Sequence, residues 1–215
     1  MKNKFPILSI ETSGELCSAA LMIDEKTFFE MNILKKHVHS EKLIEMIDLI
    51  LNSANITLKN LSFIAVSIGP GSFTGLRIGL TAAKSLAFGS GLPIVPVPTF
   101  NAFALQINEY FMNEEKFGII RNASIDDFYY ATFNSNLQSN NWNSEVKLIK
   151  KIEHGVINQE IKIFGDKIAN LKINNILGPY ASNIAKWSYL FGSDLLTYNY
   201  DYLEPNYLKN FIAKV

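Results

Sequence analysis

Apolar residues in the first hundred positions fall into short runs separated by polar turns, and the spacing within each run predicts its structure. Residues 7–10 form an apolar run that ends at the turn Glu11-Thr12-Ser13-Gly14. Residues 16–23 resume it, and Asp24-Glu25-Lys26 turns the chain into 27–34. Three such segments joined by short polar turns predict an antiparallel meander. Next, Leu43, Ile44, Met46, Ile47, Ile50 and Leu51 recur at helical spacing. Ser40 stands at the N-cap position of that helix with Glu41 in its first turn, and Asn52-Ser53-Ala54-Asn55 ends it. A strand over 63–68 then runs into a glycine-rich turn that opens a second helix reaching Phe88. Residues 92–97, punctuated by prolines, read as a further strand.

The second half repeats this alternation less regularly. A helix over 100–112 runs between the halves, and 116–120 and 128–133 read as strands around a polar turn. The segment 134–144 is dense in Asn and Ser and reads as an exposed tip. Strands are expected at 146–149, 161–164 and 174–177, and helices at 167–171 and 181–191. The pattern is that of two related α/β halves, 1–100 and 101–215, without a short-period repeat.

Composition narrows the function classes. The 215 residues suffice for one large or two small domains, and 48% hydrophobic with 19% charged residues describes a globular protein. A formal net charge of zero argues against holding nucleic acid unaided, although a partner can supply that charge. Cys17 is the single cysteine, which excludes an internal disulfide and a thiolate zinc cluster, and its apolar strand makes it a core residue. No apolar run approaches the ~20 residues needed to span a bilayer, and no secretory signal is apparent, so a cytoplasmic location is expected.

The most informative stretch is Gly69-Pro70-Gly71-Ser72-Phe73-Thr74-Gly75-Leu76-Arg77-Ile78-Gly79-Leu80. A glycine-rich strand-to-helix turn can hold an anion on backbone N–H groups. Yet residues 49–108 contain no Asp or Glu, and their only charges are Lys59, Arg77 and Lys84. The glycines miss the G-x-G-x-x-G spacing, and no G-K-[ST] ending follows. Close helix packing is therefore the preferred use: Gly75, Gly79 and Ala83 recur every four residues and allow another backbone to approach. Glu11-Thr12-Ser13-Gly14 has the look of a phosphate hairpin in an actin-like ATPase, but a second carboxylate is hard to place, Asp126-Asp127 being the best candidate. His37 and His39 lack the spacing of a helical metal pair and His154 stands apart, so no metal site is expected. Ser72 has no adjacent base and no G-x-S-x-G context.

Taken together, residues 7–13, His39-Ser40, the glycine motif 69–80, Ala83-Lys84-Ser85-Leu86-Ala87-Phe88 and 93–97 closely resemble the TsaB (YeaZ) family. Near the C-terminus, Pro205-Asn206-Tyr207-Leu208-Lys209 resembles that family's P-x-Y-L-R signature. The resemblance implies an α/β, actin-like (ASKHA, ribonuclease H-like) fold of two related lobes. It also implies a supporting role in making threonylcarbamoyladenosine in tRNA. There the family pairs with TsaD, the related catalytic subunit that holds the metal, and a small ATPase, TsaE, joins them. On this likeness the chain is a non-catalytic pseudo-enzyme, with a stand-alone actin-like ATPase or phosphotransferase as the alternative and a glycoprotease-like metallopeptidase as the third.

Two departures bear on chemistry. Glu11 stands where the family usually has Asp, and the second-lobe pattern D-A-R-x-x-E-V-Y appears as Asn122-Ala123-Ser124-Ile125-Asp126-Asp127-Phe128-Tyr129. Both weaken independent nucleotide binding and leave room for ATP or ADP at the joint with a partner. The expected nucleotide contacts are Glu11, Thr12, Ser13, Gly69, Gly71 and Ser72. The expected partner face comprises His39, Leu43, Met46, Ile47 and Ile50 of the first helix. From the second helix it takes Phe73, Gly75, Arg77, Gly79, Leu80, Ala83 and Lys84. No catalytic residue, metal or cofactor of its own is expected. Binding to TsaD and TsaE, homodimerisation without TsaD, and tRNA contact only through the complex complete the expectation.

Overall fold

The computed structural model describes residues 4–135, 144–150, 155, 157, 158 and 160–208. Strands β1 (Ile7–Glu11), β2 (Leu16–Met22) and β3 (Phe28–Leu34) form the expected antiparallel meander. Helix α1 (His39–Ser53) leads to β4 (Phe63–Gly69), then α2 (Phe73–Ser90) and β5 (Ile94–Pro98). The strands stand in the order β3-β2-β1-β4-β5, with β1, β4 and β5 parallel. Helix α3 (Thr99–Asn108) carries the chain to β6 (Lys116–Asn122), β7 (Asp127–Asn134), β8 (Lys147–Lys150), β9 (Lys162–Gly165) and β10 (Asn174–Asn175). The second sheet runs β10-β9-β6-β7-β8. Read from β8, it repeats the first: two antiparallel pairings, then two parallel ones. Helix α4 (Ala181–Phe191) follows, and two short 3-10 turns, Ser193–Leu195 and Tyr200–Tyr202, come after it.

Burial follows from this layering. β1 and β2 are buried along their whole length, because the first sheet is covered on both faces. Leu8 and Ile10 pack beneath α1 and α2 with Leu43, Met46, Ile47, Leu80 and Ala83. Ile7, on the other face, joins a core shared by α3, α4 and the second sheet, including Phe100, Phe103, Phe117, Phe133 and Ile184. Helix α4 therefore covers the first sheet although it follows the second in sequence. Ser9 Oγ donates to Ala181 O at 2.7 Å, and Ala181 N donates to Ser18 Oγ at 2.8 Å. Glu30 of β3 caps α4 across the fold, accepting from Ser182 N at 2.8 Å and Ser182 Oγ at 3.0 Å. A carboxylate at a helix N-terminus satisfies free N–H groups and complements the dipole.

Several sequence expectations need correction. Residues 167–171 are not helical: only 166–173 separate β9 from β10, and a helical crossover between parallel strands needs ~10–12 residues or more. The strand expected over 174–177 shrinks to Asn174–Asn175. Helix α3 ends at Asn108 rather than 112. Helix α1 begins at His39 behind Val38, without a side-chain cap, so Ser40 lies inside the first turn. Most of the 134–144 loop, His154 and Lys209 lie outside the described residues.

Candidate functional site

Helix α2 starts where β4 ends, and the glycine motif governs how closely it meets the β1–β2 turn. Ser72 caps the helix, accepting from Gly75 N at 3.2 Å, while Ser72 N donates to Ser13 O at 2.7 Å. A Cβ at Gly75 would stand 2.0 Å from Thr12 O, and one at Gly79 would stand 2.2 Å from Thr12 Oγ1. Thr12 Oγ1 in turn donates to Gly75 O at 2.8 Å. The backbone that the small residues admit is thus the chain's own turn. Gly69, with φ of +110°, needs its freedom, since a Cβ there would meet Asn206 O at 2.7 Å. Asn206 N donates to Ile68 O at 2.6 Å, and the Tyr207 ring packs against Phe73 at a 36° tilt, centroids 4.8 Å apart, while its OH accepts from Arg77 Nε at 3.0 Å. The C-terminal motif and the glycine motif, far apart in sequence, form one structural unit.

Beside this unit, a cavity of about 780 Å³ opens between the two sheets. Ser13, His39, Ser40, Gly71, Ser72 and Ile78 line it from the first half, and Arg121, Asn122, Asp166, Lys167 and Gly178 from the second. Of the expected nucleotide contacts, Ser13, Gly71 and Ser72 reach the cavity; Glu11, Thr12 and Gly69 do not line it. Glu11 is 1% exposed and accepts from Ser13 N at 2.5 Å. Burial raises its pKa; the hydroxyl and amide of Ser13, the Arg121 charge and the Ser67 hydroxyl oppose that shift and are outweighed. Glu11 Oε2 and Ser67 Oγ are buried without a partner in hydrogen-bonding geometry. His39 is also held below its ordinary pKa by burial, against the carbonyls of Leu16 and Gly14. The neutral ring ties α1 to β2 through Nε2 and Leu16 O, 3.3 Å apart.

The carboxylates that line the cavity are Glu15 and Asp166, not Asp126 or Asp127. Asp127 opens β7 and accepts from Ser124 Oγ at 2.9 Å, whereas Asp166 accepts from Asn122 N at 2.8 Å and Arg121 Nε at 3.4 Å. Arg121, only 8% exposed, also donates through Nη1 to Gly178 O. In the sequence, Arg121 is marked only as a charge near the end of an apolar strand, as Glu11 is at the end of β1. Among the described residues, no three of His, Cys, Asp and Glu are arranged to hold a metal ion. No helix there is long and apolar enough to cross a membrane.

The expected partner face is also corrected in part. Leu43, Met46, Ile47, Ile50, Leu80 and Ala83 are core residues here, and His39, Gly75 and Gly79 are buried too. A stripe of apolar residues on a helix covers its own sheet before it can serve another chain. Arg77 is exposed, and Phe73 and Lys84 are half-buried. What α1 turns outward includes Ile44, Leu49, Glu41, Glu45 and Asp48.

Comparison with known proteins places this geometry in a family. Residues 33–138 match the family described as TsaD: tRNA N6-adenosine threonylcarbamoyltransferase. Over 126 residues the chain is 36% identical to the tRNA threonylcarbamoyladenosine biosynthesis protein TsaB of Haemophilus influenzae, covering 58% of this chain and 52% of that one. With some curated relatives, then, the match spans about half of their length. The TsaB of Buchnera aphidicola from Acyrthosiphon pisum is 31% identical over 168 residues, covering 77% of this chain and 70% of that one. YeaZ from Pseudomonas aeruginosa shares the fold at a TM-score of 0.73 and 21% identity, over 94% of this chain and 99% of that one. The two repeated sheets are accordingly the lobes of an actin-like fold. On the identity and coverage shared with the Buchnera protein, the chain belongs to the TsaB family.

Proposed function

We propose that the chain acts in tRNA threonylcarbamoyladenosine biosynthesis, in the cytoplasm, as a non-catalytic subunit that binds and activates a TsaD-type threonylcarbamoyltransferase. Membership of the TsaB family carries this reading. The chemistry of the cleft supports it. Glu11 is turned inward, Asp166 is engaged by Arg121 and the Asn122 amide, and Glu15 pairs with Lys36 at 3.6 Å. Those carboxylates are poorly placed to act as a base or as ligands of a magnesium–nucleotide complex. ATP or ADP is accordingly assigned to the joint with the partner.

The docking face is the outward side of α1 and α2. Ile44 and Leu49, 54% and 45% exposed, supply an apolar centre. Glu41, Glu45 and Asp48 outnumber Lys42, which pairs with Glu45 at 2.7 Å, and leave α1 a net acidic rim, while α2 carries Arg77 and Lys84 and no acidic residue. An apolar centre within a charged rim is the usual anatomy of a protein interface. Because both signs are present, the same face supports self-pairing when the partner is missing. A TsaE-type ATPase joins the pair, and tRNA meets the chain only within the complex.

Reconstitution tests this. The chain mixed with the TsaD of its own organism should co-elute in gel filtration and restore tRNA modification, and Ile44→Asp or Lys84→Glu should weaken both. Full modification without the chain, or ATP turnover by the isolated chain, would overturn the reading; the latter outcome favours the stand-alone ATPase.

A further inference from the structure

The guanidinium of Arg121 lies where the two lobes approach each other across the cleft. On its own side it is held firmly: Nη1 donates to Gly178 O, Nε faces Asp166 Oδ2 at 3.4 Å, and its Cζ lies 5.5 Å from the centre of the Phe103 ring. The remaining nitrogen, Nη2, abuts the β1–β2 turn of the first lobe so closely that a Cβ at Gly14 would come within 2.1 Å. Beneath that turn, the Glu11 carboxyl feels the Arg121 charge. A buried cation is costly unless oppositely charged and polar groups surround it. Here the bonds come from the second lobe, through Asp166 and the Gly178 carbonyl, while the first lobe's β1–β2 turn packs against Nη2.

We propose that Arg121 is an interlobe tie, and that it sets the width of the cleft from within the chain rather than leaving the width to a bound ligand. Glycine at position 14 is part of the device, since a side chain there would meet the Nη2 tip of the guanidinium. Separating the lobes would strip Arg121 of its first-lobe contacts while its second-lobe bonds keep it in place. The inference is independent of the proposed partner and of any nucleotide.

Spin labels at Glu41→Cys in α1 and Ala169→Cys in the second lobe, in a Cys17→Ala background, report the lobe separation by pulsed electron–electron resonance. The otherwise unchanged chain should show one narrow distance distribution. Arg121→Ala should lengthen and broaden it. Gly14→Ala should do the same without removing any charge, because the new methyl expels the guanidinium. A mildly destabilising core change away from the tie, Ile163→Val, should leave the distribution unaltered. If Arg121→Ala fails to fold, Arg121→Lys and Gly14→Ala decide the matter. Distributions unchanged in the folded variants at positions 121 and 14 would overturn the proposal.

Discussion

Gly79 of α2 faces Thr12 so closely that a β-carbon would come 2.2 Å from the threonine Oγ1, and only hydrogen at that position lets the helix settle on the β1–β2 turn. Gly75, one turn earlier, meets the carbonyl oxygen of the same residue at 2.0 Å by the same construction. The two clashes differ in kind, one with a side chain and the other with backbone.

That difference predicts a double-mutant outcome. Gly79→Ala should destabilise the fold by about 2 kcal/mol, in the range of overpacked sites. Adding Thr12→Ala removes the clashing hydroxyl, so the pair should be less destabilised than the sum of the single variants. Gly75→Ala should cost at least as much as Gly79→Ala and should not be rescued by Thr12→Ala, because the obstacle is main chain. Chemical denaturation of the three single and two double variants checks both statements, and rescue of Gly75→Ala would contradict the packing described.

Glu11 predicts a pH dependence. Burial raises its folded-state pKa, so the folded chain keeps a proton that the unfolded chain has released above about 4.3. Stability should then fall as pH rises from that point toward the folded-state value, by no more than about 1.4 kcal/mol per pH unit. Glu11→Gln keeps an acceptor for Ser13 N and cannot ionise, so it should flatten the slope. Thermal melts of both proteins across the acid-to-neutral range provide the measurement.

His39 predicts the opposite slope. Its folded-state pKa is depressed by burial, so below about 6.5 the unfolded chain takes up a proton that the folded chain refuses. Stability should be lost as pH falls from there toward the folded-state value. His39→Gln retains an N–H donor for Leu16 O and should remove that loss; NMR titration of the His39 ring gives an independent reading.

Glu30 predicts a local effect on α4. Glu30→Ala removes acceptors from Ser182 N and Ser182 Oγ and should cost about 1 kcal/mol, as lost helix caps do. Hydrogen exchange should quicken first in the opening turn of α4, with the second sheet little affected.

Helix α4 matches the residues expected of it, and the meander β1–β3 formed as its alternating runs and short turns required, because both signals are local. Local signals misled at 167–171, where an apolar rhythm had too few residues to cross between parallel strands. The site was legible in part: Ser13, Gly71 and Ser72 lie at the cleft, and the glycine motif packs a helix tightly. Asp166 and Arg121 went unnoticed because their meaning depends on residues distant in sequence, such as Gly14 and Gly178.

By itself the sequence determined the periodicities, the turn that only glycine permits, the scarcity of acid around that turn, and the family likeness. These rest on spacing and composition along the chain. Tertiary structure decided which way each apolar stripe faces. It turned Leu43, Met46 and Ile47 into the core, gave Gly75 and Gly79 to the chain's own turn, buried Glu11, and set Arg121 between the lobes. Periodicity names a face but not its partner, and burial and charge pairing are fixed only when distant segments compete for the same space.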